Sequence, residues 1–137
     1  MFLGEYHHSL DAKGRIILPS RYRAQFAEGL VLTKGQDACL FVYPHDEFDR
    51  VAAELREHGS RDVQRHFFSG STDDTPDGQG RVVIPEGLRR YAGLERDVTL
   101  IGNGHRMEIW DRTSWEQHRD RTEPTYSGMS DDPNVRF

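Results

Sequence analysis

Apolar residues along this chain come in short runs. Ile16-Ile17-Leu18, Leu30-Val31-Leu32-Thr33, Val82-Val83-Ile84 and Val98-Thr99-Leu100-Ile101 are largely β-branched or aliphatic. Runs of this length and composition predict strands, some of them buried. Leu40-Phe41-Val42-Tyr43 and Met107-Glu108-Ile109-Trp110 read as returning strands, reached through Lys34-Gly35-Gln36-Asp37 and Gly102-Asn103-Gly104. Both connections are turn chemistry, and the second is a strong hairpin signal. Met1 to Leu10 reads as a further strand in which Leu3 and Tyr6 are too sparse to set a register, and the polar Ser71 to Thr75 takes its place later on.

Between these runs the spacing turns helical. Phe48, Val51, Ala52 and Leu55 fall on one face of a helix opened by Pro44 and running to about His58. Gly59-Ser60 breaks it, and a shorter helix carries Val63 and Phe67. Arg21 to Glu28 fits two turns capped by Ser20, with Tyr22, Phe26 and Ala27 inward and Gly29 as the stop. Glu86 to Ala92 fits another, with Leu88 and Tyr91 inward and Gly93 as the stop, and a last helix starts near Thr113. From Asp120 the chain is polar and carries Pro124, Gly128 and Pro133, which predicts a mobile tail.

The pattern occurs twice. Asp11-Ala12-Lys13-Gly14-Arg15-Ile16-Ile17-Leu18-Pro19 returns 66 residues later as Asp77-Gly78-Gln79-Gly80-Arg81-Val82-Val83-Ile84-Pro85. With Phe2 and Gly4 opposite Phe68 and Gly70, the eighteen ungapped positions hold six identities and three aliphatic exchanges. A fixed internal period means one supersecondary unit used twice. In each copy Asp-x-x-Gly is turn chemistry, with a carboxylate that caps backbone N–H groups and a glycine, Gly14 or Gly80, that permits positive φ. Proline ends the strand that follows, because it cannot donate to a ladder. The expected layout is a first repeat over 1–66, a second over 67–119 and a tail over 120–137. A half of that size buries a marginal core alone, so the two are expected to share one.

Composition narrows the function. There is no apolar run long enough for a membrane span and no charged-then-apolar leader, which predicts a cytoplasmic protein. Cys39 is the only cysteine and reads as a buried, reduced thiol. The net charge is −5, but it is unevenly spread. Residues 1–36 carry five Lys/Arg against three acids, whereas residues 37–76 carry four against nine. A modest basic face on an acidic body fits these numbers.

The chain holds no Gly-x-Ser-x-Gly, P-loop or Cys-x-x-Cys motif, its seven histidines are scattered, and Asp73, Asp74 and Asp77 lack the spacing of a calcium loop. No enzyme, metal site or cofactor is expected. What remains is a pair of arginines, Arg15 and Arg81, each leaving a tight turn four residues after an aspartate that can aim it. Asp11, Asp77, Gly14 and Gly80 set the turns. The arginines, with Lys13 and Gln79 beside them, suit recognition of phosphates and base edges. The first turn, near His7, His8 and Lys13, is expected to be the more positive, and the second, near Asp73 and Asp74, the less.

The doubled Asp-x-x-Gly-Arg-aliphatic-Pro motif, the opening Met1-Phe2-Leu3-Gly4 and Glu108-Ile109-Trp110-Asp111 resemble the MraZ family over about residues 1–118. The resemblance implies an α+β fold of two pseudo-symmetric AbrB-like, swapped-hairpin halves with a barrel-like β core and flanking helices. It places the family's Asp-x-x-x-Arg signature on Asp11/Arg15 and Asp77/Arg81. It also implies a nucleoid-associated, sequence-specific DNA-binding regulator. The partner would be double-stranded DNA, at direct repeats in the promoter of the division and cell-wall gene cluster. Self-association into a ring-shaped homo-oligomer comes with it. The alternatives are an antitoxin-like protein and a scaffold ring acting through protein partners.

Overall fold

The alternation of side chains along the strands divides the apolar residues between two faces of one sheet. The computed structural model describes residues 1–129. In chain order, β1 is Glu5–Ser9, β2 Arg15–Ile17, β3 Leu30–Lys34, β4 Leu40–Pro44, α1 His45–His58 and α2 Arg61–Ser69. The second half supplies β5 Thr72–Asp74, β6 Arg81–Val83, α3 Glu86–Tyr91, β7 Asp97–Asn103, β8 Arg106–Asp111 and α4 Arg112–Ser127. The fold is α+β, with every strand pair antiparallel.

Six strands form one sheet in the order β1-β7-β8-β4-β3-β5, and β2 with β6 forms a separate ribbon. Each half gives its first strand to the hairpin of the other: β1 pairs with β7, and β5 with β3. The two hairpins meet through β4 and β8, where Phe41 lies opposite Glu108. This order is symmetric about its centre, as a repeated unit requires. Among the described residues the sheet stays open, ending in β1 and β5, so the barrel-like closure is not seen in it.

One face of the sheet packs on the ribbon. Leu30, Leu32, Leu40, Val42, Val98, Leu100, Met107 and Ile109 join Ile16, Leu18, Val82 and Ile84 in a single core drawn from both halves. The other face, Cys39, Phe41, Tyr43 and Trp110, is covered by Phe48, Val51, Phe67 and Trp115 from the helices. Burial on both faces explains why β3 and β4 read as continuous apolar runs. Cys39 is indeed buried, and burial pushes its thiol well above the ordinary range. Glu108 brings a charge to this face, beside the buried hydroxyls of Thr33 and Thr99. It is buried, and accepts from Trp110 Nε1, Asn103 Nδ2 and Arg106, whose guanidinium lies 3.7 Å from the Phe41 ring centroid. A buried carboxylate is tolerable when it is satisfied in this way.

Four local expectations change. The segment Ser20–Phe26 is a 3-10 helix preceded by Pro19, Ser20 makes no cap, and Ala27 stays exposed while Tyr22 and Phe26 are buried. Tyr91 lies outward, because its hydroxyl reaches over to donate to the Gly35 carbonyl. Gly70 ends α2, so the Phe68-Gly70 match to Phe2-Gly4 does not extend to structure: Phe2 bridges to Gly104 in the core, and Phe68 sits in α2 against Phe67. Finally, the polar segment from Asp120 continues α4 to Ser127, with Pro124 inside. That helix is capped by Asp111, whose carboxylate accepts from Ser114 N, and Thr122 bonds back to the His118 carbonyl. Residues 130–137 of the expected tail lie outside the described residues. The expected boundary between repeats, 66/67, falls within α2.

Ile16 and Val82 face each other at the centre of the ribbon, 0% and 1% exposed. Ile16→Ala should therefore destabilise by about 2–5 kcal/mol, the cost of truncating a buried aliphatic. The loss should appear as one earlier unfolding transition in urea, because both halves share that contact. A biphasic curve with only the first half destabilised would contradict a shared core.

Candidate nucleic-acid interface

The two Asp-x-x-Gly-Arg turns have the same geometry. Asp11 Oδ1 accepts from the backbone N–H of Lys13 and of Arg15, both at 2.9 Å, and its Oδ2 accepts from Arg15 Nε at 2.7 Å. Asp77 repeats this with Gln79 N and Arg81 N at 2.9 Å and Arg81 Nε at 2.7 Å. The backbone closes each turn, Gly14 N donating to the Asp11 carbonyl and Gly80 N to that of Asp77. Both glycines have positive φ, +74° and +78°, where a side chain would be strained.

Each carboxylate thus does two jobs: it caps the turn and holds its arginine by the inner nitrogen. The terminal nitrogens of Arg15 and Arg81 take no part in the turn, which leaves the forked edge of each guanidinium for a ligand. The side chains of Lys13 and Gln79 are exposed and are not used in the turns either.

Pairing of β2 with β6 then sets the spacing. Arg15 faces Val83 and Arg81 faces Ile17, so the arginines stand at opposite corners of a ribbon with approximate two-fold symmetry. The ladder extends to the turns themselves, Ile84 N donating to the Gly14 carbonyl and Leu18 N to that of Gly80. Two further arginines complete the arrangement. Arg89 of α3 lies against Gly14 and donates to the Ile84 carbonyl at 2.6 Å. Arg23 of the 3-10 helix lies against Gly80 and donates to the Leu18 carbonyl at 3.3 Å. A Cβ on either glycine would displace that guanidinium, and the positive φ is what favours glycine at both positions. Arg23 and Arg89 were missed in the sequence, although they keep the 66-residue offset of the repeat.

The charge around the turns differs from expectation. His8 is half-buried, and burial with the nearby Arg112 holds its imidazole below the ordinary range, so it adds no positive charge at neutral pH. Asp74 accepts from Thr75 N and, at 3.4 Å, from Val83 N. Its carboxylate therefore sits beside the residue that faces Arg15, and the acid expected to weaken the second turn lies nearer the first arginine's corner. Lys13 against Gln79 remains the difference between the turns.

The aspartates titrate low. Asp77 is held at about 2, first by the Arg81 backbone N–H and then by its guanidinium, and Asp11 is lowered by the same groups of Arg15. An unfolded aspartate titrates near 3.9. A depressed folded value means that the turn's contribution is complete above about 4 and is lost as pH falls through about 2. Carbon-detected titration of Asp77 should give a midpoint near 2, and Arg81→Ala should raise it only part of the way towards the ordinary value, because the backbone N–H bonds to the carboxylate remain. An ordinary midpoint in the unaltered protein would contradict the turn geometry.

Comparison with known proteins agrees with the doubled architecture. The family model for MraZ protein, described also as antitoxin-like, matches residues 1–66 and again 67–127. A protein of Kineococcus radiotolerans named Transcriptional regulator MraZ is 49% identical over 132 residues, covering 93% of this chain and 92% of its own. Proteins of the same name from Micrococcus luteus, 49% identical over 137 residues with 96% of each chain covered, and Heliobacterium modesticaldum, 43% identical over 136 residues with 96% and 95% covered, are similar. These relatives are transcriptional regulators by name. With the motif present twice and both halves matched, the chain belongs to the MraZ family.

Proposed function

We propose that the protein is a sequence-specific DNA-binding transcriptional regulator that meets double-stranded DNA with the outer face of its β2–β6 ribbon. The observation that carries this is the pair of arginines at opposite corners of the ribbon, each pinned at Nε by its aspartate through a bond that leaves its terminal nitrogens unused in the turn. A two-stranded ribbon fits the major groove, and an arginine fork reads guanine O6 and N7. Arg15 and Arg81 act as the base readers. Lys13 contacts phosphate, and Gln79, without charge, contacts a base edge or sugar–phosphate oxygens. Asp11, Asp77, Gly14 and Gly80 position them, braced by Arg23 and Arg89. The name that the relatives carry supports the regulatory role.

The finer reading places the sites at direct repeats in the promoter of the division and cell-wall gene cluster, in the cytoplasm at the nucleoid, with several subunits joined in a ring. Among the described residues no helix is long and apolar enough to cross a membrane. Support for self-association comes from the helical side of the sheet. There an apolar groove of about 680 Å³ runs between α1, α2 and the strands, lined by Phe41, Tyr43, Val51, Leu55, Val63 and Phe67. It lies on the face opposite the ribbon, so contacts made there leave the DNA-binding face open. Light scattering should give a mass several times 15.8 kDa; a stable monomer at micromolar concentration would exclude the ring.

Titration of DNA upstream of the chain's own gene tests the reading. Log K should fall with log salt by about 0.9 per phosphate engaged, and a ring using two or three subunits should give a slope of roughly −5 or steeper. Arg15→Ala and Arg81→Ala should each cost about 1–3 kcal/mol per engaged subunit on the specific site and little on random DNA. Lys13→Ala should weaken both alike. Circular dichroism on each variant separates lost readout from lost folding. If the arginine variants fold and bind like the unaltered protein, the ribbon is not the reader.

A further inference from the structure

The outer face of the ribbon carries more than arginines. Ile17 and Val83 lie on it, 44% and 48% exposed, while their neighbours Ile16 and Val82 are buried beneath. Solvent-facing positions of a half-buried strand ordinarily take polar residues, and here both strands put an aliphatic one at the equivalent position. Register makes the placement specific: Ile17 is the cross-strand neighbour of Arg81, and Val83 of Arg15. Directly opposite residues in an antiparallel pair have Cβ atoms about 4.5–5.5 Å apart. Each corner of the ribbon therefore offers one guanidinium and one aliphatic group side by side. Asp74 meets Val83 at its backbone nitrogen, and the side chain stays exposed.

In the major groove the polar atoms of the base edges vary from pair to pair, and the one apolar group is the C5-methyl of thymine. We infer that Ile17 and Val83 are specificity-determining residues that each contact a thymine methyl, beside the guanine taken by the arginine across the ladder. This rests on the DNA-binding reading above and adds to it a requirement for thymine. The site read by one ribbon then combines a guanine and a thymine at each corner, in an arrangement with the same approximate two-fold symmetry as the ribbon.

The test uses upstream DNA prepared with thymine and again with deoxyuridine, which removes only the methyl groups. The full-length protein should bind the uracil form more weakly, by about fourfold for each methyl contacted, the effect of burying one such group. Ile17→Ala with Val83→Ala should bind the thymine form more weakly and treat the two DNAs alike. Equal affinity of the unaltered protein for both DNAs overturns the inference and leaves DNA binding intact. Discrimination that survives in the double variant belongs to the DNA's own shape and overturns it too. Failure to bind even thymine DNA would instead remove the DNA-binding reading. Both side chains are half exposed and the variant should keep its melting temperature; should it not, Ile17→Val and Val83→Thr preserve strand shape and should give intermediate discrimination.

Discussion

The structure depends on a three-residue ladder. Ile16 and Val82 cannot both be buried unless β2 and β6 lie side by side, and those strands come from different halves. Each half takes from the other the strand that covers its own Ile16 or Val82. The ladder also ends in the backbone of the two turns, at the Gly14 and Gly80 carbonyls. The turn that aims each arginine is thus the end of the strand pairing that seals the core. A change in the pairing register would move Arg15 and Arg81 to the buried side, since side chains alternate along a strand. Core and candidate interface are consequently specified by one contact, which fixes the position of the arginines without a dedicated scaffold.

Close approach extends this coupling to the helices. Arg89 from the second half rests on Gly14 of the first, and Arg23 from the first rests on Gly80 of the second. Each donates to the carbonyl of the residue before a motif proline, Ile84 or Leu18. That carbonyl lies where the ladder stops, so without the arginine it would need another donor. The result is reciprocal: each turn is held by its own aspartate from within and by the other half's arginine from outside.

Strand and hairpin positions were legible because local composition and turn residues report them. The exchange of strands between halves was implied only by the family resemblance, since nothing in β1 or β5 names β7 or β3 as its partner, and β5 is too polar to show a periodicity at all. Its alternation is replaced by Thr72, Asp73 and Asp74 pairing with the apolar β3. Phe2 and Phe68 mark the opposite error, in which identical residues at the repeat offset occupy a core position and a helix. Arg23 and Arg89 could have been found by carrying the 66-residue offset past the prolines. Their function could not, because it comes from a contact between halves. The length of α4 was hidden by Pro124, which costs one backbone bond near a helix end without stopping the helix.

An acidic chain can still present a face suited to phosphate, because of where its acids lie. Six of the nine acids in residues 37–76, Asp46, Glu47, Asp49, Glu54, Glu57 and Asp62, lie on α1 and α2 together with all four of the segment's arginines, which leaves those helices at −2. Those helices cover one face of the sheet, and the ribbon covers the other. Packed layers are about 10 Å apart, and the Debye length at physiological salt is about 8 Å. With the sheet and both its packed layers between them, the helical acids are largely screened from anything bound at the ribbon. Asp73 and Asp74 are the acids on the wrong side of this division. Asp74 is occupied with the Thr75 and Val83 nitrogens, which commits its carboxylate to the edge of the ribbon. The carboxylate fixed there sets one negative charge beside Val83, at the corner where Arg15 supplies a positive one.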